Sequence, residues 1–232
     1  MFRRLQPNDR VVLSSAALLV AVSALMYVGT IKQVIADLCP LIFDINGNGR
    51  IDITGHTSAR QKVYTIPSLS RRVDFDMDAD GNLESIDWVH NRTDGFLIDL
   101  RRGLPEGEID GSWLFGNDLA GEHIDGFSKL ATLDVDENGW VEGAELTGIG
   151  LWIDDGDARV SVSEIQALSD YDIVGLPVAS LTKVDGYGGD ISYQWAALAD
   201  GDKMYIEDVW FMGKDQASDL DNSIAQLLAF LP

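Results

Sequence analysis

The chain opens on a long apolar stretch. Val11 to Ile31, 21 residues dominated by Val, Leu and Ala, contains no charged side chain. As a helix rising about 1.5 Å per residue it spans the ~30 Å core of a bilayer. Arg3, Arg4 and Arg10 precede the run, while Lys32 and Asp37 follow it. The positive-inside bias then predicts a cytoplasmic N-terminus and an outward-facing remainder. A cleaved signal peptide ending near Val34-Ile35-Ala36 is the competing reading. The run exceeds the roughly 7–15 residues of a signal h-region, which favours a retained anchor.

Beyond Leu38 the pattern breaks up. Leu41-Ile42-Phe43, Val73 to Phe75 and Phe96-Leu97-Ile98 are short apolar pieces, each leading into Asp, Asn and Gly. Such pieces predict short strands or turns that feed loops, without a regular sheet. Phe127, Leu130 and Leu133 have helical spacing. Glu164 to Leu168 predicts a short helix leaving a loop, and Ile191 to Trp195 with Met204 to Phe211 predicts a hairpin around Ala199 to Asp202. Leu220, Ile224, Leu227 and Leu228 form one face of an amphipathic helix behind a Ser218 cap. The expectation is an α+β chain: an N-terminal transmembrane helix, then a loop-rich domain with short helices and short strands. Its divisions are an anchor over 1–37, an outer domain over 38–213 and a terminal helix over 214–232.

Charge sharpens this picture. The net charge is -21, and the first 32 residues hold four basic groups against one acidic, so nearly all the acid lies outside the anchor. Phosphate backbones would be repelled, which excludes nucleic acid as a partner. The acid is also skewed, with 29 Asp against 9 Glu. Asp suits tight turns and brings oxygen close to a hard cation. The lone Cys39 excludes an intrachain disulfide.

Spacing then locates the chemistry. In Asp134-Val135-Asp136-Glu137-Asn138-Gly139-Trp140-Val141-Glu142-Gly143-Ala144-Glu145, oxygen ligands stand at the first, third, fifth, ninth and twelfth places, with Gly at the sixth. Alternate residues of a tight loop turn oxygens inward, Gly allows the bend, Trp140 offers its carbonyl, and Glu145 can chelate with both oxygens. Val141 can pair with a sister loop. Asp76, Asp78, Asp80, Asn82, Glu84 and Asp87 make a second loop, with the shorter Asp in last place. A first loop carries Asp44, Asn46, Asn48, Arg50 and Asp52 but puts Gly55 twelfth, so it binds weakly unless an acid elsewhere closes the shell. A fourth stretch, with Asp154, Asp155, Asp157 and Glu164, is one residue short. It either binds a cation or supplies Val160 as the partner of Val141. Asp99 to Trp113 has Arg101, Arg102, Leu104 and Pro105 where ligands should stand, and reads as a loop that lost its metal. Calcium is the expected cofactor, with three ions and a fourth left open.

The order of these phrases resembles the calcium-binding domain of large bacterial secreted proteins of the hemolysin-type (RTX) class, whose loops are EF-hand-like. The matching phrases include Val73-Asp74-Phe75-Asp76, Asp94-Gly95-Phe96-Leu97, Ile109-Asp110-Gly111-Ser112-Trp113-Leu114-Phe115-Gly116, Leu151-Trp152 and Asp208-Val209-Trp210-Phe211. The likeness covers about residues 38–213 and implies calcium-stabilised folding outside the cytoplasm without catalysis. The family's third loop has a Glu where Trp113 stands. Long glycine-rich nonapeptide repeats and a C-terminal secretion arrangement are missing, and a transmembrane anchor is unlike a freely secreted exoprotein, so toxin or adhesin roles are not carried over.

No His spacing for a metal, no nucleophile elbow and no phosphate loop supports an enzyme. His56, His90 and His123 are scattered. The expected function is a membrane-anchored, calcium-stabilised accessory subunit of a larger assembly in the bacterial inner membrane. It would touch lipid through residues 11–31, dock on integral membrane proteins, and hold its outer domain in the periplasm or outside the cell. A free-standing surface module for glycans or adhesion is the alternative, and a calcium-dependent hydrolase a third reading.

Overall fold

The computed structural model describes residues 39–54, 72–105, 107–118, 121–184 and 190–211. All of them lie in one compact unit, Ala36–Asp215. Eleven strands are present among them: β1 (Leu41–Phe43), β2 (Arg72–Phe75), β3 (Glu84–Asp87), β4 (Gly95–Asp99), β5 (Trp140–Glu142), β6 (Ile149–Trp152), β7 (Ile165–Ala167), β8 (Ile173–Pro177), β9 (Leu181–Val184), β10 (Asp190–Leu198) and β11 (Lys203–Asp208). One α-helix, α1 (Gly126–Leu130), and several 3-10 turns complete the described elements.

The main sheet has the order β5-β8-β10-β11-β1-β4-β6-β7, with β9 added on β10, and β2 and β3 form a separate hairpin. Every pairing is antiparallel. The central strands β1, β4 and β6 are short and buried almost throughout. Their successive side chains point to opposite faces. Ile42, Phe96, Ile98 and Trp152 therefore enter one core with Trp88, Phe75 and Phe211. Leu41, Phe43, Leu97 and Leu151 enter a second with Phe115, Phe127, Leu130 and Ile206. Each large apolar side chain so buried contributes about 1.5–3 kcal/mol.

This architecture corrects the α+β, loop-rich expectation, because the apolar pieces are strands of a broad antiparallel sheet. A strand buried on both faces reads as a continuous apolar run and gives no alternation, and its partners lie far away in sequence. The Ile191–Trp195 and Met204–Phe211 segments do form a hairpin, β10–β11, in the register Trp195↔Tyr205. Glu164 to Leu168 is not a helix: Glu164 ends a 3-10 turn, Ile165–Ala167 is β7, and Leu168 opens another turn. Phe127, Leu130 and Leu133 are buried on α1 and the 3-10 turn after it, behind an Asp125–Ser128 capping box.

The single-pass inner-membrane assignment is also corrected. Among the described residues no helix is long and apolar enough to cross a membrane. The longest is the five-residue α1, against the ~20 residues a crossing needs. The run 11–31 and the terminal amphipathic segment lie outside the described residues.

Candidate metal centre

Three loops share one hydrogen-bond scheme. In the loop after β1, Asn48 N–H donates to Asp44 Oδ1 (3.1 Å) and Asn46 Oδ1 (3.0 Å), Gly49 N–H to Asp44 Oδ2 (2.6 Å), and Arg50 N–H to Asn48 Oδ1 (3.1 Å). In the β2–β3 turn, Asp80 N–H donates to Asp76 Oδ1 (3.0 Å) and Asp78 Oδ1 (3.2 Å), Gly81 N–H to Asp76 Oδ2 (2.9 Å), and Asn82 N–H to Asp80 Oδ1 (2.7 Å). Before β5, Asn138 N–H donates to Asp134 Oδ1 (3.0 Å) and Asp136 Oδ1 (3.2 Å), Gly139 N–H to Asp134 Oδ2 (2.8 Å), and Trp140 N–H to Asn138 Oδ1 (2.8 Å). The fourth and sixth residues take positive φ in all three: Gly47 and Gly49, Ala79 and Gly81, Glu137 and Gly139. The backbone thus turns around the side-chain oxygens, and the sixth residue is Gly because φ near 90° is strained for any residue with a Cβ.

Two of these loops gather acids tightly. One oxygen from each of Asp76, Asp78, Asp80 and Glu84 lies within 4.8 Å of the others, and the same holds for Asp134, Asp136 and Glu145. Oxygens bound to one calcium at 2.3–2.6 Å lie no more than about 5 Å apart, so both groups have the right span. Burial pushes the Asp78 and Glu84 carboxyls up, and their like-charged neighbours add to it. Glu145 spans its loop: Oε1 accepts Val135 N–H (2.7 Å) and Oε2 accepts Glu142 N–H (3.2 Å). Glu142 lies beside it, with Asn138 Nδ2 donating to its Oε1 (3.3 Å). Trp140 is on β5 and about one-third exposed.

Other residues sit differently from their spacing. Asp87 does not close the second loop. It is buried on β3, opposite Arg72, whose Nη2 lies 3.3 Å from it. Glu84 takes the closing place, its Oε2 accepting Met77 N–H (2.8 Å). Asn82 donates its amide to Asp80. Val141 pairs with Leu176 of β8, not with Val160. In the first loop Asp52 receives Asn46 Nδ2 (3.1 Å), Asn48 Nδ2 (2.7 Å) and Arg50 Nε (2.7 Å). Gly55 lies outside the described residues.

The fourth stretch brings Asp154, Asp155 and Asp157 together, again within 4.8 Å, but on a different backbone. Asp154 Oδ2 accepts Gly156 N–H (2.8 Å), Ala158 N–H (3.3 Å) and the indole N–H of Trp88 (2.6 Å). Burial raises the Asp154 pKa to about 6. Glu164 caps Ser161 and Asp155 through its two oxygens, and Arg92 Nη2 lies 3.5 Å from it. Trp88 joins this loop to the core, where it packs on Phe96 at 4.7 Å and Phe75 at 5.1 Å.

The stretch from Asp99 to Trp113 has cationic side chains among its acids. Arg101 grips Asp99 through Nε (2.8 Å) and Nη2 (2.7 Å), and Arg102 stacks on Trp113 at 3.9 Å. Burial alone would raise the Asp99 carboxyl, yet these bonds hold it below its ordinary value. Gly111 N–H donates to Asp76 O (2.7 Å), which seats this stretch on the second loop. A Cβ at Gly111 would stand 1.7 Å from Met77 O.

One acid has a place that spacing did not assign. Asp94, fully buried, accepts Asp52 N–H (3.0 Å) and the Thr93 hydroxyl (2.7 Å) on Oδ2, while its Oδ1 has no hydrogen-bond partner. Burial, with Asp52 and Asp44 nearby, raises its pKa to about 8. Its signal in the sequence is an Asp-Gly pair directly before an apolar strand.

A family profile described as the SPM domain matches residues 59–212 of the 232 in the chain. The chain belongs to the SPM domain family. The SPM match takes in the acidic loops that begin at Asp76, Asp134 and Asp154 and ends beyond β11, so it covers most of the β-sheet unit. It begins after the first loop. No curated protein matches the chain.

Proposed function

We propose that the β-sheet unit, which contains the SPM match and the loop before it, is a calcium-stabilised structural module without catalysis of its own. The observation that carries the reading is the recurrence of one loop conformation at Asp44, Asp76 and Asp134, each turning carboxylate or amide oxygens inward around a Gly at positive φ. Acids within 4.8 Å of one another repel when no cation is between them. A divalent ion removes that repulsion and binds only the folded form, so it stabilises by mass action. The likeness of the phrases to hemolysin-type calcium-binding domains supports the same chemistry. Extracellular modules bind calcium at roughly 10⁻⁴–10⁻³ M, which makes millimolar calcium a constitutive brace and not a signal.

The test is thermal unfolding in chelator and in millimolar calcium. A tenfold excess over Kd adds about 1.4 kcal/mol per site, so three sites give roughly 4 kcal/mol. At about 2–4 °C per kcal/mol for a chain of this size, Tm should rise by roughly 8–17 °C. An unchanged Tm would refute the calcium reading.

A further inference from the structure

The first loop has its first, third and fifth oxygens, but its ninth-place Asp52 is engaged by Asn46 Nδ2, Asn48 Nδ2 and Arg50 Nε, and Gly stands twelfth, so no free acid of its own closes the shell. β1 and β4 are antiparallel neighbours in the register Ile42↔Phe96 and Phe43↔Gly95. One step further along that register, Asp44 stands opposite Asp94. Residues directly opposite on antiparallel strands send their side chains to the same face. The two segments are tied again by Asn46 N–H donating to Thr93 O (3.1 Å) and Asp52 N–H donating to Asp94 Oδ2 (3.0 Å). Asp44 and Asp52 are each 4 % exposed and Asp94 is 0 % exposed. Three carboxylates are therefore withdrawn from water at one end of one ladder. Asp94 Oδ1 has no hydrogen-bond partner, and a buried carboxylate oxygen in that state is costly unless something binds it.

We propose that Asp94 is the missing acid of the first loop, so that this divalent-cation site is shared between the segment after β1 and the turn before β4. The inference rests on the calcium reading above and adds a ligand that comes from outside the loop, 42 residues beyond Asp52. An ion held this way links two parts of the chain. It braces the β1–β4 ladder itself, whereas the loops of Asp76 and Asp134 are closed by Glu84 and Glu145 from within.

The experiment is calcium titration of the full chain by calorimetry, with native mass spectrometry for the count, on the wild type and Asp94→Asn. The Asn keeps an acceptor for Asp52 N–H and removes the charge. The expected result is one ion fewer in Asp94→Asn, or at least a tenfold weaker affinity at one site with the others unchanged. Equal counts and equal affinities overturn the role of Asp94 and leave the calcium reading standing. A wild type that binds no calcium overturns both. A structure of the wild type with calcium bound decides the point even if the variant does not fold: the proposal requires an ion about 2.3–2.6 Å from Asp94 Oδ1. An ion in the first loop that leaves this oxygen unbound, or a first loop empty while the others are filled, overturns it.

Discussion

Glu145→Gln is the most informative single change in the loop that begins at Asp134. Without calcium, the Glu145 carboxylate already holds the loop, accepting Val135 N–H at 2.7 Å and Glu142 N–H at 3.2 Å. Gln retains one of these acceptors and turns an amide toward the other donor, which costs about 0.5–1.5 kcal/mol for one exposed hydrogen bond exchanged for water. Against this, the change removes one charge from the Asp134, Asp136, Glu145 group. The two effects oppose each other, so in chelator the variant should melt close to the wild type. With calcium the effects no longer cancel. The twelfth-place carboxylate binds with both oxygens, and Gln offers one uncharged oxygen. Loss of that site at a tenfold excess of calcium forfeits about 1.4 kcal/mol, which is roughly 3–6 °C of Tm. The assay is a four-way comparison of wild type and variant, each with chelator and with millimolar calcium, followed by near-ultraviolet circular dichroism. The calcium-induced rise should be smaller in the variant by that amount. Equal rises in both proteins would refute the assignment of Glu145 as a ligand.

Two further outcomes follow from the geometry. Asp94 and Asp154 have pKa values raised by burial to about 8 and about 6, so the folded state holds their protons more tightly than the unfolded one. That stability is full below about pH 4 and is lost as pH rises through 6 and 8, each tenfold tighter hold on a proton being worth about 1.4 kcal/mol. Denaturant melts of the calcium-free protein should show lower stability at pH 8.5 than at pH 5, and higher stability at pH 8.5 would contradict the burial of these acids. Gly111→Ala places a Cβ 1.7 Å from the backbone oxygen of Met77, which no side-chain rotation relieves. It should destabilise by roughly 1–3 kcal/mol in urea, and a wild-type midpoint would refute the close approach.

The loops were legible because their chemistry is local. Asp134 to Glu145 carries the side chains that shape its turn within twelve consecutive residues, and the spacing alone gives that turn. The sheet was not legible, because Leu41-Ile42-Phe43 gives no sign that its neighbours are β11 and β4. Asp94 was missed for the same reason: only the β1–β4 register brings it to Asp44. The second loop shows the limit of pattern matching. Asp87 occupies the twelfth place, yet the β2–β3 pairing carries it to Arg72, and the longer Glu84 reaches back to Met77 N–H instead. Val141 likewise follows the sheet and pairs with Leu176 instead of a sister loop.

If calcium braces this acidic β-sheet unit, a definite number of ions must bind it. Native mass spectrometry of the full chain, titrated with calcium against a magnesium control, gives the number without reference to any assumed function. Three bound ions, at the loops of Asp44, Asp76 and Asp134, are the expected result. A fourth ion would place calcium at Asp154 as well. A spectrum that stays at the apo mass through millimolar calcium would contradict the account.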